Sequence, residues 1–189
     1  DALTVAVNPE NTWSTKMTVA QLKKIWEPAA QGKVTRWNQI NPAWPDEAMQ
    51  LLGSHPDSGT YDYFTEAIVG KSKSSRQDFT QLENSAALIG AVAGSKNSLA
   101  FLGFGYYNEN QSKITAVAID NGNGAVLPSV ETVETGSYQP LSRPIFIYVN
   151  AKAAERSEVK GFVEFYMKNA ILLVKEAKFF PLPPRAYSI

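Results

Sequence analysis

Residues 55–60 read His-Pro-Asp-Ser-Gly-Thr: a carboxylate, two hydroxyls and a glycine set directly before a run with helical spacing. The amides that open a helix have no intrahelical acceptor and sit at the positive end of its dipole, so such a stretch can hold an oxyanion. Gly59 lets the backbone approach a ligand closely, and the Ser58 and Thr60 hydroxyls can donate beside it. The same residues serve equally well as a plain cap, with Asp57 or Ser58 accepting from the helix's own amides. Asp57 would repel an anion, so in the first reading it orients an arginine or accepts a proton from a protonated oxyanion. Arg76, within Ser74-Ser75-Arg76-Gln77-Asp78, is the nearest basic candidate, and a guanidinium fork matches two oxyanion oxygens at once. The alternative for Arg76 is a solvated surface arginine.

Other chemistries fit poorly. His55, Asp57 and Ser58 are the residue types of a hydrolytic triad, but adjacent positions cannot place nucleophile, base and orienter in line. No G-x-S-x-G elbow surrounds Ser58. His55 is the only histidine and cysteine is absent, which excludes thiol catalysis, disulfides and Cys- or multi-His-ligated zinc. Gly53…Gly59 is not followed by Lys-Ser or Lys-Thr, so there is no phosphate-cradling P-loop. A non-enzyme without metal or cofactor is expected. Eighteen basic and 18 acidic residues cancel, which disfavours nucleic acid as a partner. No apolar run approaches the length of a membrane-spanning helix.

The elements that must position these residues alternate between strand and helix, which points to the α/β class. Leu3–Val7 reads as a buried strand stopped at Asn8-Pro9. Thr18 and Gln21 form a capping box for a helix burying Val19, Leu22, Ile25 and Trp26. Residues 32–46 read as an irregular loop, and Met49–Leu52 as an apolar run leading into the polar stretch. Tyr61, Phe64 and Ile68 then predict a helix ending at Gly70. Residues 71–85 are expected to be irregular, 86–93 a helix of small residues, 99–107 a strand interrupted at Gly103 and Gly105, and 114–119 another strand. Asn121-Gly-Asn-Gly124 is a turn, and 129–134 one or two helical turns. Arg143–Val149 is expected to be a buried strand, followed by a helix with Val159, Phe162, Val163 and Tyr166 on its buried face. The 189 residues suffice for one large domain or two small ones, and with no signal peptide ahead of Asp1 the chain reads as mature or truncated.

A resemblance runs along the chain through Val7-Asn8-Pro9-Glu10-Asn11, Met17-Thr-Val-Ala-Gln-Leu-Lys-Lys-Ile-Trp26 and Val34-Thr-Arg-Trp37-Asn38. It continues through Asp57-Ser58-Gly59-Thr60 with Phe64, Ser75-Arg76-Gln77-Asp78, Leu99-Ala-Phe-Leu-Gly-Phe104 and Pro140-Leu-Ser-Arg-Pro-Ile-Phe-Ile-Tyr-Val-Asn150. These motifs resemble the periplasmic phosphate-binding proteins of phosphate ABC transporters, in particular the cyanobacterial type. The resemblance implies a type II periplasmic-binding-protein lobe, a mixed sheet flanked by helices, with residues 1–142 as the second lobe. Residues 143–189 would be the strand and helix that return to an incomplete first lobe. It further implies inorganic phosphate as ligand, Ser58, Gly59 and Thr60 as its contacts, a membrane permease as partner and an extracytoplasmic address, lipid-anchored or secreted in the precursor. Family members carry an arginine just upstream of Ser-Gly-Thr; here that segment is Gly53-Ser54-His55-Pro56-Asp57, so Arg76 is expected to replace it, held by Asp57 or Asp78. The family's opening half-lobe, with its Thr/Ser-Phe loop, serine and aspartate, has no counterpart. The uncovered apolar helix is therefore expected to pack back, to self-associate or to be covered by the lacking segment. The alternative reading is an interaction module derived from this fold that no longer binds phosphate tightly.

Overall fold

The computed structural model describes residues 1–182 and 184–187. Pro183, Ser188 and Ile189, at the end of the expected 143–189 unit, lie outside the described residues. Strand β1 is Leu3–Val7, and Lys16–Thr18 (β2) runs directly into helix α1, Val19–Trp26. Thr18 accepts from the Gln21 amide while Gln21 accepts from the Thr18 amide, which is the capping box expected, and Leu22, Ile25 and Trp26 are buried. Gln50–Ser54 (β3) leads into α2, Gly59–Phe64, which continues as a wider π-type turn over Thr65–Val69 and ends at Gly70 with φ +92°. Next come β4 (Thr80–Leu82), α3 (Ser85–Ala93), β5 (Ser98–Gly103) and α4 (Phe104–Asn108). Short strands β6 (Thr115–Ala116), β7 (Ala118–Asp120) and β8 (Ala125–Val126) precede α5 (Val130–Glu134). Helices α6 (Ser157–Lys168) and α7 (Ala170–Glu176) follow a long extended stretch.

The main sheet has the order β4-β3-β5-β1-β6, with β3 parallel to β4 and β5, and β1 antiparallel to β5 and β6. Both faces are covered, which is why β1 is buried at every position and reads as one unbroken apolar run. Leu3, Val5, Val7, Leu51, Leu99 and Phe101 belong to one core with α1 and α2. Ala6, Leu52, Ala100 and Leu102 belong to a second core under α3. Trp26 centres the first, edge-on to Phe64, Phe79 and Phe101, with Phe64 and Phe101 stacked 4.0 Å apart. A second, three-stranded sheet, β2-β7-β8, closes through the Asn121–Gly124 turn, where Asp120 Oδ1 accepts from the Gly122 and Gly124 amides.

Five expectations need correction. The single strand foreseen over 114–119 is two, β6 and β7, which join different sheets on either side of Val117. The strand foreseen over 99–107 ends at Gly103, because β1 pairs it only as far as Leu3↔Gly103. Phe104 then spends its amide on Ala2 O and the chain turns helical. Residues 71–85 contain β4, a three-residue edge strand whose exposed Thr80 and Gln81 carry no apolar alternation. Residues 143–149 are extended but form no ladder. Arg143 N donates to Asp1 O, Pro144 has no N–H, and no backbone hydrogen bond of residues 145–149 exists among the described residues. Far from buried, Phe146 is 66% and Tyr148 92% exposed. Helix α6 forms where expected, yet none of its residues is buried and Phe162 is 67% exposed, because it packs on neither sheet.

Candidate functional site

Parallel strands β3 and β5 end side by side, and each runs within a few residues into a helix, β3 into α2 and β5 into α4. In an α/β sheet such a place, outside the carboxyl ends of adjacent strands, is where ligands settle. Antiparallel β1 begins at the same edge, so Asp1 lies there too. Residues 141–143 return to it, with Leu3 N donating to Leu141 O, Arg143 N to Asp1 O and Asp1 N to Arg143 O at 2.8–2.9 Å. The result is a cleft of about 540 Å3 whose lining includes Gly59, Thr60, Phe104, Gly105, Arg143 and Lys178.

The polar run occupies the helix start as its chemistry requires. Ser58 is the N-cap of α2: its Oγ accepts from the Tyr61 amide at 3.2 Å and its carbonyl from the Asp62 amide at 3.1 Å. The Gly59 and Thr60 amides, first in the helix, have no acceptor among the described residues. The capping alternative holds for Ser58, and the amides of the next two residues are left without an acceptor in residues that line the cleft. A Cβ on Gly59 would meet nothing within 4 Å, which marks open space above that backbone. Asp57 points to solvent, its carboxylate 3.7 Å from His55 Nδ1, and touches no arginine.

Arg76 is placed elsewhere. Only 3% exposed, it donates from Nε and Nη2 to the two Asp78 oxygens at 2.5 and 2.8 Å and from Nη1 to the Val34 and Ile25 carbonyls at 2.7 and 3.2 Å. The fork thus joins the end of α1 to the 71–80 segment, and it does not line the cleft with Gly59 and Thr60. Asp78 also accepts from the Gly32 amide, and the Arg76 hydrogen bonds hold its carboxyl down at about 2. Of the expected residues, then, Gly59 and Thr60 meet at the cleft with Ser58 beneath them, while Arg76 and Asp78 form a separate structural pair.

Arg143 is the residue the sequence reading passed over. Its guanidinium carbon lies 4.0 Å over the Tyr63 ring, and its Nε is 3.8 Å from Asp1 Oδ2, too far for a hydrogen bond. Tyr63, one turn along α2 from Gly59, is fixed by donation from its hydroxyl to Pro140 O at 2.7 Å. Burial pushes that phenol up to about 12. The available signal was one cation inside the apolar stretch 141–149, flanked by Ser142 and Pro144. Lys178 is the cleft's other side-chain cation, but its ammonium is paired with Glu109 and sits over Tyr106. Among the described residues no cluster of His, Cys, Asp and Glu is placed to hold a metal.

An opening at strand ends, with unsatisfied helix amides and one arginine, is a place for a small anion. The sequence matches the PBP superfamily domain over residues 1–170. The chain belongs to the PBP superfamily. It is 48% identical over 190 residues to Protein SphX of Synechocystis, a match covering all of this chain and 56% of that protein. The Phosphate-binding protein PstS of Staphylococcus epidermidis is 31% identical over 191 residues, covering 99% of this chain and 56% of the relative. The crystal structure of a possible phosphate binding protein from Planctomyces limnophilus superposes with a TM-score of 0.90 at 42% identity, over 99% of this chain and 66% of that one. This PBP-superfamily chain thus spans a little over half the length of the curated relatives it matches.

Proposed function

We propose that this chain binds inorganic phosphate as part of the solute-binding component of a phosphate ABC importer, outside the cytoplasm. The observation that carries the reading is the pair of unsatisfied amides at Gly59 and Thr60, open to a cleft at the strand ends of a PBP-superfamily fold. The names of its relatives point to phosphate among the small anions such a cleft would take. Binding here needs no chemistry on the ligand, and Ser58, whose Oγ accepts from the Tyr61 amide, acts as the cap of α2. Residues 1–142 form the second lobe of a two-lobed clamp. Residues 143–189 are the part that returns to the first lobe, which explains an extended stretch with no ladder and an amphipathic helix with no cover. The rest of that lobe is the proposed cover, and a membrane permease the proposed partner. Self-association of two chains through the same face is what a concentration-dependent sedimentation coefficient would show instead.

Calorimetric titration of the chain with phosphate, then with sulfate, tests the reading. One phosphate per chain, bound more tightly at low ionic strength than at high, is the expected result. Sulfate bound more tightly than phosphate, or no heat with either, would overturn it.

A further inference from the structure

Resting on the phosphate reading, we propose that Arg143 is the guanidinium that meets the bound anion, in the role the sequence had suggested for Arg76. Three observations converge on it. Arg76 is buried and has both Nη atoms and Nε engaged by Asp78, Ile25 and Val34, so turning it to the cleft would strip a bidentate carboxylate contact and two carbonyls. Arg143 lines the same cleft as Gly59 and Thr60, and its side-chain N–H groups make no hydrogen bond among the described residues. Its place is also set by the element that carries the amides. The guanidinium carbon lies 4.0 Å over the ring of Tyr63 on α2, a contact that positions the cation without using its N–H groups.

Asp1 sets the selectivity of this arrangement. Its carboxylate, 14% exposed, stands 3.8 Å from the Arg143 Nε on the cleft wall, so an incoming anion competes with it for the same cation. The winner must offer two oxygens to the fork and further oxygens to the Gly59 and Thr60 amides. A tetrahedral oxyanion can do both, whereas a halide or a planar carboxylate cannot. Arg143 also sits on the paired crossing of residues 1–3 with 141–143, so the anion would be gripped where the two chain passes meet.

The test is a nitrogen-15 NMR titration of the chain with inorganic phosphate, with chloride as an ionic-strength control. The Gly59 and Thr60 amides and the Arg143 Nε–H are expected to shift along one binding curve under phosphate and to stay put under chloride. Arg143→Gln should weaken binding by about tenfold or more, the scale of one charge-assisted hydrogen bond, with Arg143→Lys in between because it keeps the charge without the fork. Unchanged spectra away from the cleft confirm that each variant is folded. Amides that shift while Arg143 does not, or an Arg143→Gln protein that binds like the parent, would overturn the proposal and leave the phosphate reading standing. Amides and arginine that all remain unmoved at high millimolar phosphate would overturn both.

Discussion

Replacing Arg76 by methionine separates a structural arginine from a ligand. Methionine roughly keeps the buried volume but removes every donor from the Ile25 and Val34 carbonyls and from Asp78. Two acceptors left dry at the end of α1 and in the following loop cost about 1–2 kcal/mol each. Asp78 is 35% exposed and regains water, so its share is discounted to about 1 kcal/mol or less. The sum is about 3 kcal/mol, which for a domain of this size corresponds to a fall in Tm of roughly 6–12 °C. Urea unfolding followed by tryptophan fluorescence measures it. The loss must also depend on pH in a definite direction. The Asp78 pKa is lowered in the folded chain, to about 2 from an ordinary 3.8, chiefly by the Arg76 hydrogen bonds. Its contribution is therefore present above the ordinary value and disappears as pH falls through about 2, so the gap between parent and variant narrows by the Asp78 share in that window while the cost of the two carbonyls remains. Phosphate affinity per folded molecule should stay unchanged. A stability loss under about 1 kcal/mol, or a large fall in phosphate affinity in a fully folded variant, would refute this assignment.

Gly59→Ala should fold as well as the parent, since its φ is not left-handed and the new methyl meets nothing within 4 Å, yet bind phosphate more weakly because that methyl stands over the free amides. Calorimetry and a thermal melt on the same sample decide it. Tyr138→Phe should leave stability unchanged or raise it by up to about 1 kcal/mol in urea, because the Tyr138 hydroxyl is buried with no hydrogen-bond partner among the described residues and burial raises its pKa. Gly105→Ala would drive a Cβ to 2.2 Å from the Lys178 carbonyl, so the 178–182 tail should detach from α4 and become the first site of limited proteolysis.

Much of the fold was legible because its signals are local. The Thr18 and Gln21 capping box, the Asn121–Gly124 turn and the continuous apolar run of β1 each have a short-range cause, and each forms where expected. The helix start at Ser58-Gly59-Thr60 was readable for the same reason: it is written in adjacent residues. What failed was whatever depended on a distant partner. Strand β4 exists only because β3 lies beside it, and Phe104–Asn108 is helical only because β1 has run out. Arg76 and Arg143 are the sharpest case. In sequence Arg76 lies among hydroxyls and Arg143 among aliphatics, which suggests a polar site for the first and a strand for the second. Folding reverses this, because Val34 and Ile25 come around Arg76 while the crossing of residues 1–3 with 141–143 delivers Arg143 to α2.

One physical cause accounts for the three features that look unfinished. Among the described residues, 145–149 have strand composition but no strand to pair with; α6 has an apolar stripe but packs on no sheet; the cleft has donors and a cation but an outer wall made of exposed Ile145, Phe146 and Tyr148. A sheet that accepted residues 145–149 as a strand would place cover on α6 and close the cleft in the same step. Burying the four rings of Phe146, Tyr148, Phe162 and Phe165, at ~100 Å2 each, would contribute about 10 kcal/mol before ordering costs. Closing the cleft matters as much for the ligand. Unsatisfied amides and a guanidinium facing water exchange one hydrogen bond for another at little net gain, whereas the same groups in a dry site hold an anion far more strongly. On the reading proposed, the donors and the cation of the cleft supply recognition, and burial of the exposed rings beside them sets its strength.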